Sequence, residues 1–230
     1  MKLAVALFKI ASVVALAADL PNTLSEAERE AGWRLLFDGQ TTEGWIGLGS
    51  AAFPDKGWRV DAGTLHHTSK GGGGDIVTRE HFLNFELAWE WKIARGANSG
   101  LKYNLTGPAS GLGFEYQMID DSGYPGAKGL RRTHLTAGLY DLIEPASETR
   151  LMPAGEWNAS RVLVQGNHVE HWLNGAKTAE FEIASEALKA WIAKSKYREI
   201  PRFGEKVKSP ILIQDHGDEV WVRSIKLRPL

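Results

Sequence analysis

Cysteine is absent from the 230 residues. That removes a thiol nucleophile, a disulfide scaffold and any cysteine-ligated zinc or iron–sulfur centre. An excess of charge is missing too, since 27 Lys and Arg stand against 28 Asp and Glu for a formal net charge of −1. A nucleic-acid partner, which draws affinity from clustered basic surface, is therefore not indicated. The apolar stretch at residues 3–17 falls short of the ~20 residues a spanning helix needs, so no stable membrane insertion is expected. There is no internal repeat, no long linker and no βαβ alternation, and no pattern specifies an oligomer.

Tryptophan and glycine are plentiful, at nine and 25. Together they point to strands, tight turns and flat aromatic surfaces in a β-rich domain that handles small molecules or sugars. The start of the chain reads differently. Met1-Lys2, the apolar stretch and the small residues near Ala15-Leu16-Ala17-Ala18 have the form of a secretory signal over residues 1–18, with Lys9 as a departure. Residues 19–230 then form a single exported domain.

Within that domain Ser25-Glu26-Ala27-Glu28 matches a capping box and predicts a short helix to about residue 31. The clearest strand is 85–93, where every odd position is large and apolar and the even ones are Glu, Ala, Glu and Lys. Residues 114–119 and 161–164 alternate as well. Hairpins are expected at Ala62-Gly63 and at Asn174-Gly175. One amphipathic helix is expected over 185–197, and strands over 210–214 and 220–227. Many short strands with one or two short helices argue for an all-β sandwich.

The candidate chemistry is dispersed. Gly71–Gly74 lacks the Gly-Lys-Ser/Thr continuation of a phosphate loop and reads as a surface loop, or as a loop near a site entrance. His168 and His171, three apart on a strand, point to opposite faces and cannot readily share an ion. Glu86 and Glu90 share a face but lie about 13 Å apart, beyond the roughly 5–10 Å of a glycosidase pair. Glu115 and Gln117 point the same way, opposite Phe114, Tyr116 and Met118, and alternation alone makes theirs a solvated outer face. Against that reading, Glu90, Glu115 and Gln117 are joined by Gln214-Asp215-His216-Gly217-Asp218 at a strand end and by Asn98-Ser99-Gly100 beside a glycine turn. Together they suggest one polar pocket, with Trp45, Trp58, Trp157 or Trp172 as possible stacking platforms for a sugar ring.

The ordered segments Leu36-Phe37-Asp38-Gly39-Gln40, Gly44-Trp45, Gly74-Asp75-Ile76-Val77-Thr78, Asn84-Phe85-Glu86-Leu87, Glu90-Trp91, Asn98-Ser99-Gly100, Glu115-Tyr116-Gln117, Ile119-Asp120, Gly138-Leu139-Tyr140, Trp172-Leu173-Asn174-Gly175 and Ile213-Gln214-Asp215-His216-Gly217 resemble the 3-keto-disaccharide hydrolase domain over about residues 30–230. Val222-Arg223-Ser224 and Leu101-Lys102-Tyr103 depart from its usual pattern, which bears on substrate specificity. The resemblance implies a concanavalin A-like jelly-roll sandwich, export, and action on 3-keto-glycosides. The expected chemistry is removal of the C2 proton, acidified by the C3 ketone, and loss of the C1 aglycone by elimination, or net hydrolysis once water adds. On this basis Glu115 and His216 are expected as base or as ligands of a divalent metal ion, with Glu90 as a catalytic or supporting carboxylate. Gln117, Asn98, Gln214, Asp120, Tyr140 and Trp172 are expected to contact the carbohydrate substrate. A non-catalytic carbohydrate-binding module on the same fold is the alternative, and would show a Trp-lined groove instead of converging carboxylates.

Overall fold

The structure is a computed structural model that describes residues 20–107 and 110–230. The expected export signal lies outside the described residues. Helix α1 (Glu26–Glu30) is followed by strands β1 (Arg34–Leu35), β2 (Trp45–Gly47), β3 (Trp58–Asp61), β4 (Thr64–His67), β5 (Ile76–Thr78), β6 (Phe85–Ile93), β7 (Asn98–Gly107), β8 (Leu112–Ile119), β9 (Asn158–Gln165), β10 (His168–Leu173) and β11 (Ala176–Glu182). Helix α2 (Glu186–Ile192) and strands β12 (Leu212–Ile213) and β13 (Val220–Pro229) complete the chain. The strands form an eight-stranded sheet in the order β11-β10-β9-β6-β13-β4-β3, with β1 against β13, and a five-stranded sheet in the order β2-β5-β12-β7-β8. All the pairings are antiparallel. This is the all-β jelly-roll sandwich. Among the described residues no helix is long and apolar enough to cross a membrane.

Alternation builds the core. The odd residues of β6 meet the inward face of β8, and Trp89 packs edge-on to Tyr116 with ring centroids 4.9 Å apart. Several buried polar groups of this core pair with one another. Trp91 Nε1 donates to Ser160 Oγ at 2.8 Å, Ser160 Oγ lies 2.7 Å from the Tyr116 hydroxyl, and the Tyr103 hydroxyl lies 2.7 Å from His171 Nε2. His171 is fully buried while His168 stays at the surface beside Glu182, so the two histidines do occupy opposite faces.

The Ser25 capping box and the Asn174-Gly175 turn form as expected, and both turn residues have positive φ. Asn98-Ser99-Gly100 follows a turn at Arg95-Gly96 and opens β7. One element differs from expectation: the helix expected over 185–197 ends at Ile192. Ser195 terminates it, because its Oγ donates back to the Ile192 carbonyl at 2.8 Å and accepts from Tyr197 N–H at 3.0 Å. Lys196 and Tyr197 are thereby released from the helix.

Candidate active site

Three neighbouring strands present one polar face on the outside of the five-stranded sheet. On β7 the outward residues include Asn98, Gly100 and Lys102; on β8 they are Glu115 and Gln117. The register sets Lys102 opposite Glu115 and Gly100 opposite Gln117. Gln214 follows β12, and its N–H donates to the Gly100 carbonyl at 2.9 Å. Tyr140 and the Lys196-Tyr197 segment supply the far wall, and His216 completes the lining. Gly100 is required sterically: a Cβ there would stand 2.8 Å from Glu115 Oε1 and 3.1 Å from its Cγ. A side chain at that position would displace the carboxylate.

The turn after β12 is held from outside the pocket. Asp215 accepts from Gly74 N–H at 3.0 Å and Gly217 N–H at 2.8 Å, and its Oδ1 lies 3.1 Å from His67 Nε2. Asp218 accepts from Asn98 N–H at 2.9 Å. Both carboxylates of the Gln-Asp-His-Gly-Asp segment are therefore engaged in folding the turn, while Gln214 and His216 line the pocket. The glycine loop at 71–74 acts as a buttress in the same way, since Trp58 Nε1 donates to the Gly74 carbonyl at 2.9 Å. On the far wall Asp141, whose side chain is fully buried, accepts from Lys196 N–H at 2.7 Å and lies 2.9 Å from His134 Nε2. The His134 ring stacks on Tyr140 at 4.5 Å, and this locks the tyrosine and the lysine segment together.

Electrostatically the pocket is out of balance. Burial pushes the Glu115 carboxyl above its ordinary range, although Lys102 and Lys196 oppose the shift. Lys102 Nζ is 3.6 Å from Glu115 Oε2. Lys196, exposed as a whole residue, carries its amine 4.3 Å from the Tyr140 ring centre and 5.0 Å from that of Tyr197. Three buried amide oxygens, Asn98 Oδ1, Gln117 Oε1 and Gln214 Oε1, have no hydrogen-bond partner within the protein. All three belong to residues lining this one pocket. Unpaired buried acceptors of this kind are costly unless water or the hydroxyls of a ligand supply the donors.

The same residues were tested against a divalent ion. The pocket lining offers one carboxylate, Glu115, with His216 and the amide oxygens as the remaining donors. Lys102 Nζ already lies 3.6 Å from Glu115 Oε2, so a doubly charged cation would have to share its one carboxylate with an ammonium group, and this donor set does not fit one. Elsewhere His168, Glu170 and Glu180 hold donor atoms within 4.8 Å of one another on the other sheet. There Lys177 already lies 3.3 Å from Glu170 and also pairs with Glu180.

Of the residues expected from sequence, Glu115, Gln117, Asn98, Gln214, His216 and Tyr140 line this pocket. Three do not. Glu90 is on β6 of the other sheet, where it accepts from Arg223 Nε at 2.6 Å. Trp172 stacks under Arg161, at 4.4 Å, on that sheet's outer face. Asp120 closes a turn by accepting from Gly96 N–H at 2.8 Å and Gly123 N–H at 2.9 Å. None of the other suggested platforms lines the pocket either: Trp45 and Trp58 are core residues, and Trp157 lies under Arg223. Lys102, Lys196 and Tyr197 were not anticipated. Once β7 is recognised as a strand, its alternation from Asn98 through Gly100 leads to Lys102. Nothing comparable marks Lys196, which follows a helix end set by a single serine.

An acid, two amines and unpaired amide oxygens thus meet in one pocket of a jelly-roll sandwich. The chain belongs to the 3-keto-alpha-glucoside-1,2-lyase-like domain family, whose model matches residues 32–228. A relative from Bacteroides thetaiotaomicron, named 3-keto-disaccharide hydrolase, is 32% identical over 86% of this chain and 79% of its own length. A protein from Parabacteroides distasonis described as a candidate glycosyl hydrolase superimposes with a TM-score of 0.83 at 35% identity, covering 92% of this chain and 100% of its own. A second protein from that organism, at 23% identity and a TM-score of 0.66, shares the fold.

Proposed function

We propose that this protein is an enzyme that cleaves the glycosidic bond of 3-keto-glycosides, with Glu115 removing the C2 proton and the aglycone leaving from C1. The observation that carries the reading is the buried Glu115 carboxylate, only loosely paired with Lys102, beside a second amine and three unpaired amide oxygens. A carboxyl raised above its usual range is a stronger base than one in water, and it accepts the C2 proton acidified by the adjacent ketone. The negative charge that then develops on the C3 oxygen faces Lys102 and Lys196. His216 is the group able to protonate the departing C1 oxygen. Asn98, Gln117 and Gln214 receive sugar hydroxyls, and water added across the resulting C1–C2 double bond completes net hydrolysis. The name of the Bacteroides relative and the family description support a 3-keto sugar as substrate.

At this pocket a carbohydrate-binding module is disfavoured because no indole lines it, whereas Trp172 lines a separate cavity with Glu90 on the other sheet. We read residues 1–18 as an export signal, so that the chain recovered outside the cytoplasm is expected to begin near residue 19 on N-terminal sequencing. The function is tested by offering a chromogenic 3-keto-glucoside and the matching glucoside, each with and without chelator. The ketone is expected to be consumed with or without chelator, and the glucoside left intact. Equal turnover of both sugars would reject C2 deprotonation, and complete loss on chelation would reject the metal-free site.

A further inference from the structure

The two lysines of the pocket are not equivalent. Lys102 is committed to Glu115 through a contact of 3.6 Å. Among the described residues no carboxylate lies within ion-pair distance of Lys196 Nζ, which instead rests over the Tyr140 and Tyr197 rings. Its backbone is pinned by Asp141 and its neighbour Tyr197 is buried, stacked at 4.1 Å on Phe203. The amine is thus carried into the pocket wall by a pinned backbone, with no carboxylate in direct contact with it. Desolvation of the amine lowers Lys196 below the ordinary lysine range; Lys102 and Arg131 add to this, and Glu115 and Asp141 oppose it. A lysine beside a second cation, facing a carbonyl substrate, is the arrangement that makes an amine nucleophilic.

We propose that Lys196 condenses with the C3 ketone of the substrate, so that the C2 proton is removed from an iminium ion and not from the free ketone. This deepens the function proposed above and rests on its 3-keto substrate. The lone pair of neutral Lys196 forms the C3–N bond and the carbonyl oxygen becomes a hydroxyl. Uptake of one proton expels that hydroxyl as water and leaves C3=N+. Glu115 takes the C2 proton, and the C–H pair forms C2=C3 while the C=N pair returns to nitrogen. That nitrogen pair then re-forms C3=N+, the C2=C3 pair moves to C1=C2, and the C1–O bond breaks with its electrons on the aglycone oxygen, which takes a proton. Water finally releases the unsaturated 3-keto sugar and regenerates the amine and one proton.

The test uses 1,5-anhydro-3-ketoglucitol, a ketone with no group to lose from C1, together with cyanoborohydride, which reduces iminium ions in preference to ketones. Wild-type protein is expected to gain one reduced sugar by intact mass, mapped to Lys196, and to lose turnover of a chromogenic 3-keto-glucoside in proportion. Lys196→Arg, checked for folding by thermal melt, is expected to take no label and to turn over the chromogenic ketone about 10²-fold more slowly. Normal turnover by an enzyme that takes no label, or a label mapped to Lys102, would overturn the covalent step and leave proton abstraction by Glu115 standing. Failure of the wild-type protein to consume any 3-keto-glucoside would overturn both.

Discussion

The outer faces of the two sheets are built from similar residues and behave in opposite ways. On the eight-stranded sheet the buried and half-buried charges are answered. Glu86 lies 2.5 Å from Arg161 and 2.7 Å from Arg228, Glu90 lies 2.6 Å from Arg223, and Arg or Lys covers Trp172, Trp157 and Trp221 at 4.4, 3.9 and 4.6 Å. On the five-stranded sheet Glu115 is buried with a looser partner, and amide oxygens around it are left without donors. The first face is a lattice of aromatic and ionic pairs that satisfies itself. The second leaves donors to be supplied from outside the protein, by water or by a ligand, and that is what marks it as the candidate site.

Paired substitutions break the comparison most sharply. Glu115→Gln is expected to lower kcat/KM for a 3-keto-glucoside by about 10³-fold, the worth of a positioned base. Glu90→Gln is expected to leave turnover within about twofold and to cost about 1 kcal/mol of stability in a denaturant melt. The pH profile follows from the same burial. As the proposed base Glu115 would act only when ionised, and its pKa is raised, so activity is expected to be lost as pH falls through a value above the ordinary 4.5. Equal losses from the two substitutions would erase the distinction between the faces.

A smaller effect is expected from Gly100→Ala. Its Cβ would meet Glu115 Oε1 at 2.8 Å, and the displaced carboxylate is expected to cost about 10²-fold in kcat. Smaller still is Gln214→Ala, which removes one unpaired amide oxygen and is expected to raise KM about fivefold to tenfold, the worth of one hydrogen bond. Steady-state kinetics on folded variants checks both.

Much of the fold was legible in the sequence because strand alternation is a local pattern: Phe85 through Ile93 and the Asn174-Gly175 turn announce themselves. The pocket was half legible. Glu115, Gln117, Gln214 and His216 stood out by type and by position at a strand or strand end. Glu90 looked the same as Glu115, since alternation reports which way a side chain points but not which sheet it leaves or which arginine waits beside it. Asn98-Ser99-Gly100 stood out only as a polar group beside a glycine turn, and nothing local showed why Gly100 is a glycine. In the fold Gly100 is small because Glu115 needs the space, a long-range reason that no local pattern carries. Lys196 was hidden for a similar reason, as its place depends on Ser195 ending a helix and on Asp141 reaching across from another segment.

The central claim is that Glu115 takes the proton from C2 of a 3-keto sugar. The direct measurement compares kcat/KM for a 3-keto-glucoside carrying protium or deuterium at C2. Slowing of severalfold by deuterium in the wild-type protein, with C1–O cleavage lost in Glu115→Gln, is the predicted result. A rate indifferent to deuterium, with turnover kept by Glu115→Gln, would contradict it.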